Sequence, residues 1–438
     1  MFAFRESLGV SSFTSGTYKV NAKYSTITFT YHVTFNIGIT KTFTDRLFLK
    51  DVRPEMWKSV PTAVLEPTLQ ALLIMIGINY WSAFPTSNMR IEGFALTYEQ
   101  AQFWNTLYLH GLGEFFYLAK IDFRNLIAFP YDESLTAPVP ARFERPKRAL
   151  LLNGAGKDSI LSAEILKAKG IPFDFFAFAP TPAHTRISKL VDAKLITVTR
   201  RRDPLIDIIL QGAYPSVSTF TFIATLLAEL LGYNSIVFSN ERSADIGNLE
   251  YLGLHVNHQW CKSSQAEKMI NEYIQRFITP DISSMSPLRT FSELEIVKRF
   301  VHYPQYLFDV TSCNSYFWLP RIQQRLQRTN YWCNKCPKCV FLFACFSAFL
   351  PKKELVSIFG ADLYTKKQLL PLFRRILGLE GFKPLDCVGE PEEMILALHY
   401  ATCTTEYAGE PAITLFEKHF PPDYDFEALE RRVFATET

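Results

Sequence analysis

An α/β fold with a parallel-sheet core, an α+β region before it and a cysteine-rich, mostly helical region after it is predicted by three features of the sequence. Between residues 149 and 238 short apolar runs alternate with helical periodicity; residues 26–37 alternate apolar and polar; and beyond Lys352 the patterning is mostly helical. A chain of 438 residues is too long for one ordinary core, so three regions are expected, spanning residues 1–140, 141–310 and 311–438.

In the first region, TITFTYHVTFNI at 26–37 places Ile27, Phe29, Tyr31, Val33, Phe35 and Ile37 on one side and leaves His32 on the wet face. Helices are predicted over Thr62–Ile78 and Thr97–Leu118. The prolines and charges of Tyr131–Ala141 break both periods and mark a linker. The second region follows with strands at Ala149–Asn153, Phe173–Phe178, Leu195–Val198 and Ser235–Phe238. Helices are expected between them at Ser159–Lys169, Thr185–Asp192, Leu205–Leu210 and Ser218–Leu231. Such alternation implies a parallel sheet covered on both faces. Ligands of these sheets gather at the C-terminal strand ends, which singles out the loops starting at Asn153, Ala179 and Ser239.

Composition narrows the function. Hydrophobic residues make up 48% and charged residues 20%, the balance of a globular protein, and the net charge of +3 argues against a nucleic-acid partner. The densest basic run, Arg200-Arg201-Arg202, is followed by Asp203 and reads as a solvated loop, with a phosphate contact as its functional alternative. Met1–Val10 lacks the long apolar stretch of a secretory signal, and the apolar run Ala71–Ile78 is too short to span a bilayer. A cytoplasmic protein with no membrane partner is expected, and its eight cysteines point to metal or catalysis rather than disulfides.

The strand at Ala149–Asn153 runs into Gly154-Ala155-Gly156-Lys157-Asp158-Ser159 and then a helix. Small residues let backbone approach a phosphate, and a helix N-terminus offers free N–H groups and a favourable dipole. A Walker A loop would need Gly at Leu151 and Ser or Thr at Asp158, and a dinucleotide fingerprint would need Gly at Ser159. The loop resembles instead the Ser-Gly-Gly-x-Asp-Ser motif of the PP-loop ATP pyrophosphatases, adenine nucleotide alpha hydrolase-like proteins. Gly156, Asp158 and Ser159 match it; Gly154 and Ala155 depart from it. The resemblance implies ATP cleaved to AMP and pyrophosphate, with Asp158 helping to place Mg²⁺. A simple strand–helix turn is the plain alternative.

Cys333, Cys336 and Cys339, each separated by two residues, suit a structural Zn²⁺, with an iron–sulfur cluster as the other possibility. Cys313, Cys345 and Cys387 are candidates for the fourth ligand. Cys313 is preferred by resemblance to 7-cyano-7-deazaguanine synthases, which place one Cys upstream of a similar CxxCxxC.

Several segments in a fixed order carry a closer resemblance. They are Gly154–Ser159, Ser239–Ala244, Asn257–Ser263, Ser292–Ile296, Ser312–Asn314, Trp332–Cys339 and Phe382–Glu390. Over roughly residues 60–400 the chain resembles the ATP-dependent UDP-N-acetylmuramoyl-L-alanyl-L-glutamate epimerases, the MurL family. The resemblance implies inversion of the terminal L-Glu of UDP-MurNAc-L-Ala-L-Glu for peptidoglycan synthesis, through an adenylated carboxylate. ATP, Mg²⁺ and a structural Zn²⁺ are the expected cofactors. The expected ATP-binding residues are Gly154–Ser159 with Ser239, Asn240, Glu241 and Arg242. Glu241 is also a candidate second Mg²⁺ ligand, while a strand-end salt bridge is the plain reading of Glu241 and Arg242. Cys387 and Asp386 are the candidate proton carriers, a thiolate near a cation being a competent base, with Cys261 as alternative. His258 and Lys262 complete the catalytic candidates, and Lys262 suits an anionic substrate. Two other readings stay open: a PP-loop enzyme modifying a nucleobase or tRNA, and a non-catalytic ATP-binding sensor.

Overall fold

The computed structural model describes residues 9–209, 214–318 and 331–435. Its strands are β1 (Val10–Asn21), β2 (Thr26–Phe35), β3 (Thr40–Leu49), β4 (Met89–Ile91), β5 (Ala149–Leu152), β6 (Phe173–Phe178), β7 (Leu195–Arg201), β8 (Ser235–Val237), β9 (Leu249–Tyr251), β10 (Leu254–Val256) and β11 (Ser283–Met285). Nine of them form one sheet in the order β11-β8-β5-β6-β7-β3-β2-β1-β4, and β9 and β10 form a separate hairpin. From β11 to β7 every pairing is parallel; β7, β3, β2 and β1 then pair antiparallel. The expected α/β class, parallel core and helical C-terminal region are all present.

Both faces of the parallel core are covered, and alternation along each strand decides what lies where. Leu150, Phe176, Ile196 and Ile236 face a core shared with the N-terminal third. Ala149, Leu151, Phe175 and Val237 face a second core built with the C-terminal helices. The first core centres on α1 (Thr62–Ala83), which packs against α3 (Ser216–Leu231), α2 being the helix Lys157–Ala168. By length and apolarity α1 could cross a membrane, yet it is apolar nearly all round and mostly buried, as a core helix is.

Several expectations change. Residues 1–140 were expected as their own domain, but β3 pairs directly with β7, so sheet and core run through the residue-140 boundary. Residues 131–141 are irregular and mostly exposed. Ile37 is 58% exposed because β2 ends at Phe35 and turns. The helix expected over 97–118 breaks at Leu112, whose backbone leaves the helical region between Gly111 and Gly113. Leu210, the expected end of one helix, lies outside the described residues.

The basic run is the main correction. Arg200 is no loop residue: it lies on β7 opposite Leu47 of β3, and its guanidinium donates to both carboxylate oxygens of Asp45 at 2.7–3.0 Å. Tyr80 adds a hydroxyl donor to Asp45 at 2.9 Å, and Asp45 is fully buried. This ion pair ties the antiparallel strands to the parallel core. Removing one partner strands a buried charge, so Arg200→Ala should cost about 3–5 kcal/mol in denaturant unfolding. Arg201→Ala, at an exposed position on the same strand, should stay within about 0.5 kcal/mol.

Candidate active site

Strand order creates a switch point: from β5 the chain moves to β6 and β7 on one side and later returns to β8 on the other. A crevice opens at the carboxyl ends of such strands. Here it is a cleft of about 710 Å³, bordered by Asn153, Gly154, Gly156, Asp158 and Ser159 after β5 and by Ser239 and Asn240 after β8.

The loop after β5 is held from behind. The Asn153 carboxamide oxygen accepts the Ala155 N–H at 2.8 Å, and the Ala155 carbonyl accepts the Thr311 N–H at 3.2 Å. Ala155 has a left-handed φ of 57°, a conformation that costs an alanine about 1–2 kcal/mol. Its methyl is buried in the C-terminal core, and Ala155 does not border the cleft. The Ala155 departure from the motif therefore strains backbone without filling the space a phosphate would need. At Gly156 a methyl would meet Ser312 Oγ at 2.8 Å, so only glycine fits there without a shift. Gly156 caps α2 without a side chain, so no N-cap side chain takes up its first-turn N–H groups.

Lys157 turns inward. It is buried, and its ammonium donates to Asp158 and to Glu293 at the start of α5 (Glu293–Phe300), α4 being Ser264–Phe277. Glu293 also accepts from Lys338 at 3.5 Å. Although burial opposes ionisation of Glu293, Lys157 and Lys338 hold its carboxyl well below the usual range. Lys338 reaches the cleft from α6 (Pro337–Ser347), inside the Cys336-Pro-Lys-Cys339 segment.

The sulfurs of Cys313, Cys333, Cys336 and Cys339 all lie within 4.8 Å of one another. Cys333 and Cys339 are 3.8 Å apart, and the Cys333 N–H donates to Cys313 Sγ at 3.3 Å. Four thiols this close can hold a metal ion; the expected fourth member, Cys313, belongs to the group, and Cys345 and Cys387 do not. Ser312 and Asn314, flanking Cys313, both border the cleft, as Lys338 does. The knot therefore sets three cleft side chains.

On the remaining wall Cys387 and Lys262 meet, Lys262 Nζ lying 3.4 Å from Cys387 Sγ. Burial alone would push the Cys387 thiol up, but Lys262, a hydrogen bond from His258 and the charge of Lys338 hold it at about 7. His258 itself is drawn down by burial but lifted to about 10 by its hydrogen bonds with Cys387 and Glu114. The resulting arrangement favours ionisation of the thiol and protonation of the imidazole, side by side and next to a lysine.

Among the expected site residues, Gly154, Gly156, Asp158, Ser159, Ser239, Asn240, Lys262 and Cys387 border this one cleft. His258 sits behind Cys387. Asp386 is tied up as acceptor, at 2.5 Å from Asn314 Nδ2 and 2.8 Å from the Cys387 N–H, so it shapes the turn that presents the thiol. Glu241 is buried, and its charge is felt at Lys262. Arg242 points away, donating to the carbonyls of Val433 and Ala435 at the end of the last helix. Sequence reading assigned no role to Glu114, Glu293, Asn314 or Lys338. Glu293 and Asn314 lay in flagged segments and Lys338 was overshadowed by its cysteines; Glu114 carried no signal.

Fold and cleft together define an α/β protein in which a glycine loop and a helix N-terminus face a thiol, an imidazole behind it and two lysines. Comparison with known families then names the group. The model of the MurL N-terminal domain matches residues 5–286, and that of the MurL C-terminal domain residues 309–430. The chain belongs to the MurL family. Relatives named UDP-N-acetyl-alpha-D-muramoyl-L-alanyl-L-glutamate epimerase include one from Xanthomonas oryzae, 31% identical over 83% of this chain and 80% of that protein. Another, from Micromonospora, is 30% identical over 92% and 90% of the two chains. A third, from Salinispora tropica, is 32% identical over 77% and 73%. Among solved structures, a predicted subunit of tRNA methyltransferase from Methanocaldococcus jannaschii aligns with 35% of this chain and 75% of its own, at 19% identity and a TM-score of 0.24.

The cluster can be tested in the free protein. Lys262→Met removes a cation from beside the thiol, so the Cys387 titration should rise by at least about one pH unit, slowing alkylation at pH 7 by roughly fivefold or more. Mass spectrometry of the Cys387 peptide after iodoacetamide pulses across pH reads this out.

Proposed function

We infer that this chain is the epimerase that inverts the terminal L-Glu of UDP-MurNAc-L-Ala-L-Glu to D-Glu in peptidoglycan precursor synthesis, an isomerase working in the cytoplasm, and that ATP drives it. The carrying observation is that Cys387, with Lys262 Nζ at 3.4 Å, stands on the wall of the same cleft as the Gly154–Ser159 loop.

The chemistry explains why the two belong together. The α-proton of a glutamyl residue beside an ionised carboxylate is very weakly acidic, because its removal would stack negative charge on negative charge. Attack of the α-carboxylate oxygen on the α-phosphorus of ATP forms an acyl adenylate and expels pyrophosphate, which the loop and the free N–H groups of α2 receive. The activated ester now has an accessible enolate. Cys387, as thiolate, takes the α-proton, and a cleft cation, Lys262 or Lys338, stabilises the enolate oxygen. A second proton, drawn from solvent, reaches the opposite face and inverts the carbon, Cys387 gives its own proton up to solvent, and water hydrolyses the adenylate to AMP and the D-Glu carboxylate. Asp158 is the candidate Mg²⁺ ligand on the loop. Glu241 is the second, its buried Oε1 having no hydrogen-bond partner among the described residues. Bound there, Mg²⁺ would screen phosphate charge. In the cysteine knot a zinc ion fits best, because tetrahedral Zn–S bonds of about 2.3 Å separate the sulfurs by about 3.8 Å.

Four outcomes test this reading. Asp158→Asn should abolish AMP formation while leaving the chain folded; normal AMP output would remove the PP-loop assignment. Turnover in heavy water should place deuterium at the glutamyl α-carbon only when ATP is present, and Cys387→Ala should block that exchange while some AMP still forms. Across pH, exchange should rise through about 7 as the thiolate forms and fall through about 10 as the imidazolium is lost. Metal analysis should find one zinc per chain, and Cys336→Ser should lose it together with the fold of the C-terminal region.

A further inference from the structure

The carboxylate behind His258 comes from a distant part of the chain. Glu114 lies in the first turn of the short helix Gly113–Ala119, in the N-terminal third. That helix packs on β10, with Gly113 so placed that an added methyl would stand 3.5 Å from Leu254 Cδ2 and 3.8 Å from Val256 Cα. Two residues beyond β10, the chain delivers His258, whose backbone N–H is pinned to Asn248 Oδ1 at 2.9 Å. The same Asn248 donates to the carbonyls of Lys383 and Pro384, at 3.2 and 3.0 Å, fixing the loop that carries Cys387. His258 Nδ1 then meets Glu114 Oε2 at 2.5 Å, leaving its other ring nitrogen for the thiol. Both side chains are largely enclosed, at 19% and 11% exposed, so this contact is poorly screened by solvent.

We propose that Glu114 is a positioning residue of the active site: it orients the His258 ring and keeps it cationic, so that Cys387 works as one half of a thiolate–imidazolium pair. This deepens the epimerase reading and rests on it for its role in turnover, while the acid–base claim stands in the free protein. Glu114 touches neither cleft nor thiol and acts only through His258. A carboxylate on Nδ1 selects the ring orientation that presents the other N–H to sulfur, and its charge offsets the cost of burying an imidazolium. The groups around the pair are few. Lys262, Lys338 and Lys383 bring positive charge to Cys387, Cys261 adds a second thiol, and Glu114 is the carboxylate hydrogen-bonded to the ring.

The test uses the intact chain without substrate. Alkylation of Cys387 followed by mass spectrometry should show a lower inflection as the thiolate forms and an upper one as His258 loses its proton and stops restraining the nucleophile. Glu114 favours the charged ring, so Glu114→Gln should move the upper inflection down by at least one pH unit, whereas Glu114→Asp, which keeps the charge, should move it less. Deuterium entry at the glutamyl α-carbon at pH 10 should fall at least about fivefold in Glu114→Gln, as a one-unit shift of a group titrating near 10 requires, with the KM for ATP unchanged. An upper inflection that stays in place in Glu114→Gln overturns the proposal. Should that variant fail to fold, nitrogen-15 NMR of the wild-type ring decides: a protonated His258 at pH 8 supports the assignment and a neutral ring overturns it. Failure of the epimerase reading would look different, as intact inflections with no deuterium entry in wild-type protein.

Discussion

The buried carboxylate of Glu293 is the interaction on which the site depends. It is 1% exposed and sits between Lys157, from the first turn behind the glycine loop, and Lys338, from the cysteine knot. A carboxylate and two ammonium groups removed from water survive only when each compensates the others, so no member can move alone. The consequence is geometric. The start of α2, the start of α5 and the start of α6 are bound to one point, and each contributes a border of the cleft or supports one. Glu393, from the C-terminal helix α7 (Pro391–Cys403), adds a further tie by accepting the Leu294 N–H at 2.8 Å, next along the chain from Glu293. Burial and the neighbouring charge of Glu293 raise its own carboxyl to about 7.

Around that point the cleft is lined by two parts of the chain and supported from behind by the third. The parallel core supplies the loop and the helix N-terminus. The cysteine knot supplies Ser312, Asn314 and Lys338, held by the closure of four sulfurs rather than by a long helix. The N-terminal third enters twice: structurally through the Arg200–Asp45 pair that extends the sheet, and chemically through Glu114. One arrangement of buried charges thus serves two ends. Nearly enclosed ion pairs define how segments meet, and the excess of cations around Cys387 favours its thiolate.

Much of this was legible in the sequence because it is local. The alternation of Ile27, Phe29, Tyr31 and Val33 is a property of consecutive residues, and all four are buried as the period demands. The loop Gly154–Ser159 announces itself by small residues between a strand and a helix, and the CxxCxxC spacing states its own ligand geometry. Cys387 and Lys262 were legible as residues worth weighing, through the segments that resemble the MurL family. Arg200 was misread because three successive arginines look solvated until a strand buries the first of them against Asp45.

Sequence alone therefore determined the α/β class, the glycine loop between strand and helix, three of the four clustered sulfurs and the family, since each is written in spacing or in the order of short segments. Tertiary structure decided what pairs with what. It extended the sheet through β3 and β7, turned Lys157 inward to Glu293 and pointed Arg242 away to the last helix. It also brought Glu114 across 144 residues of chain to His258. A partner for a buried charge is chosen by the low-dielectric space around it, where an unmatched ion is costly, and that space exists only after distant segments have packed.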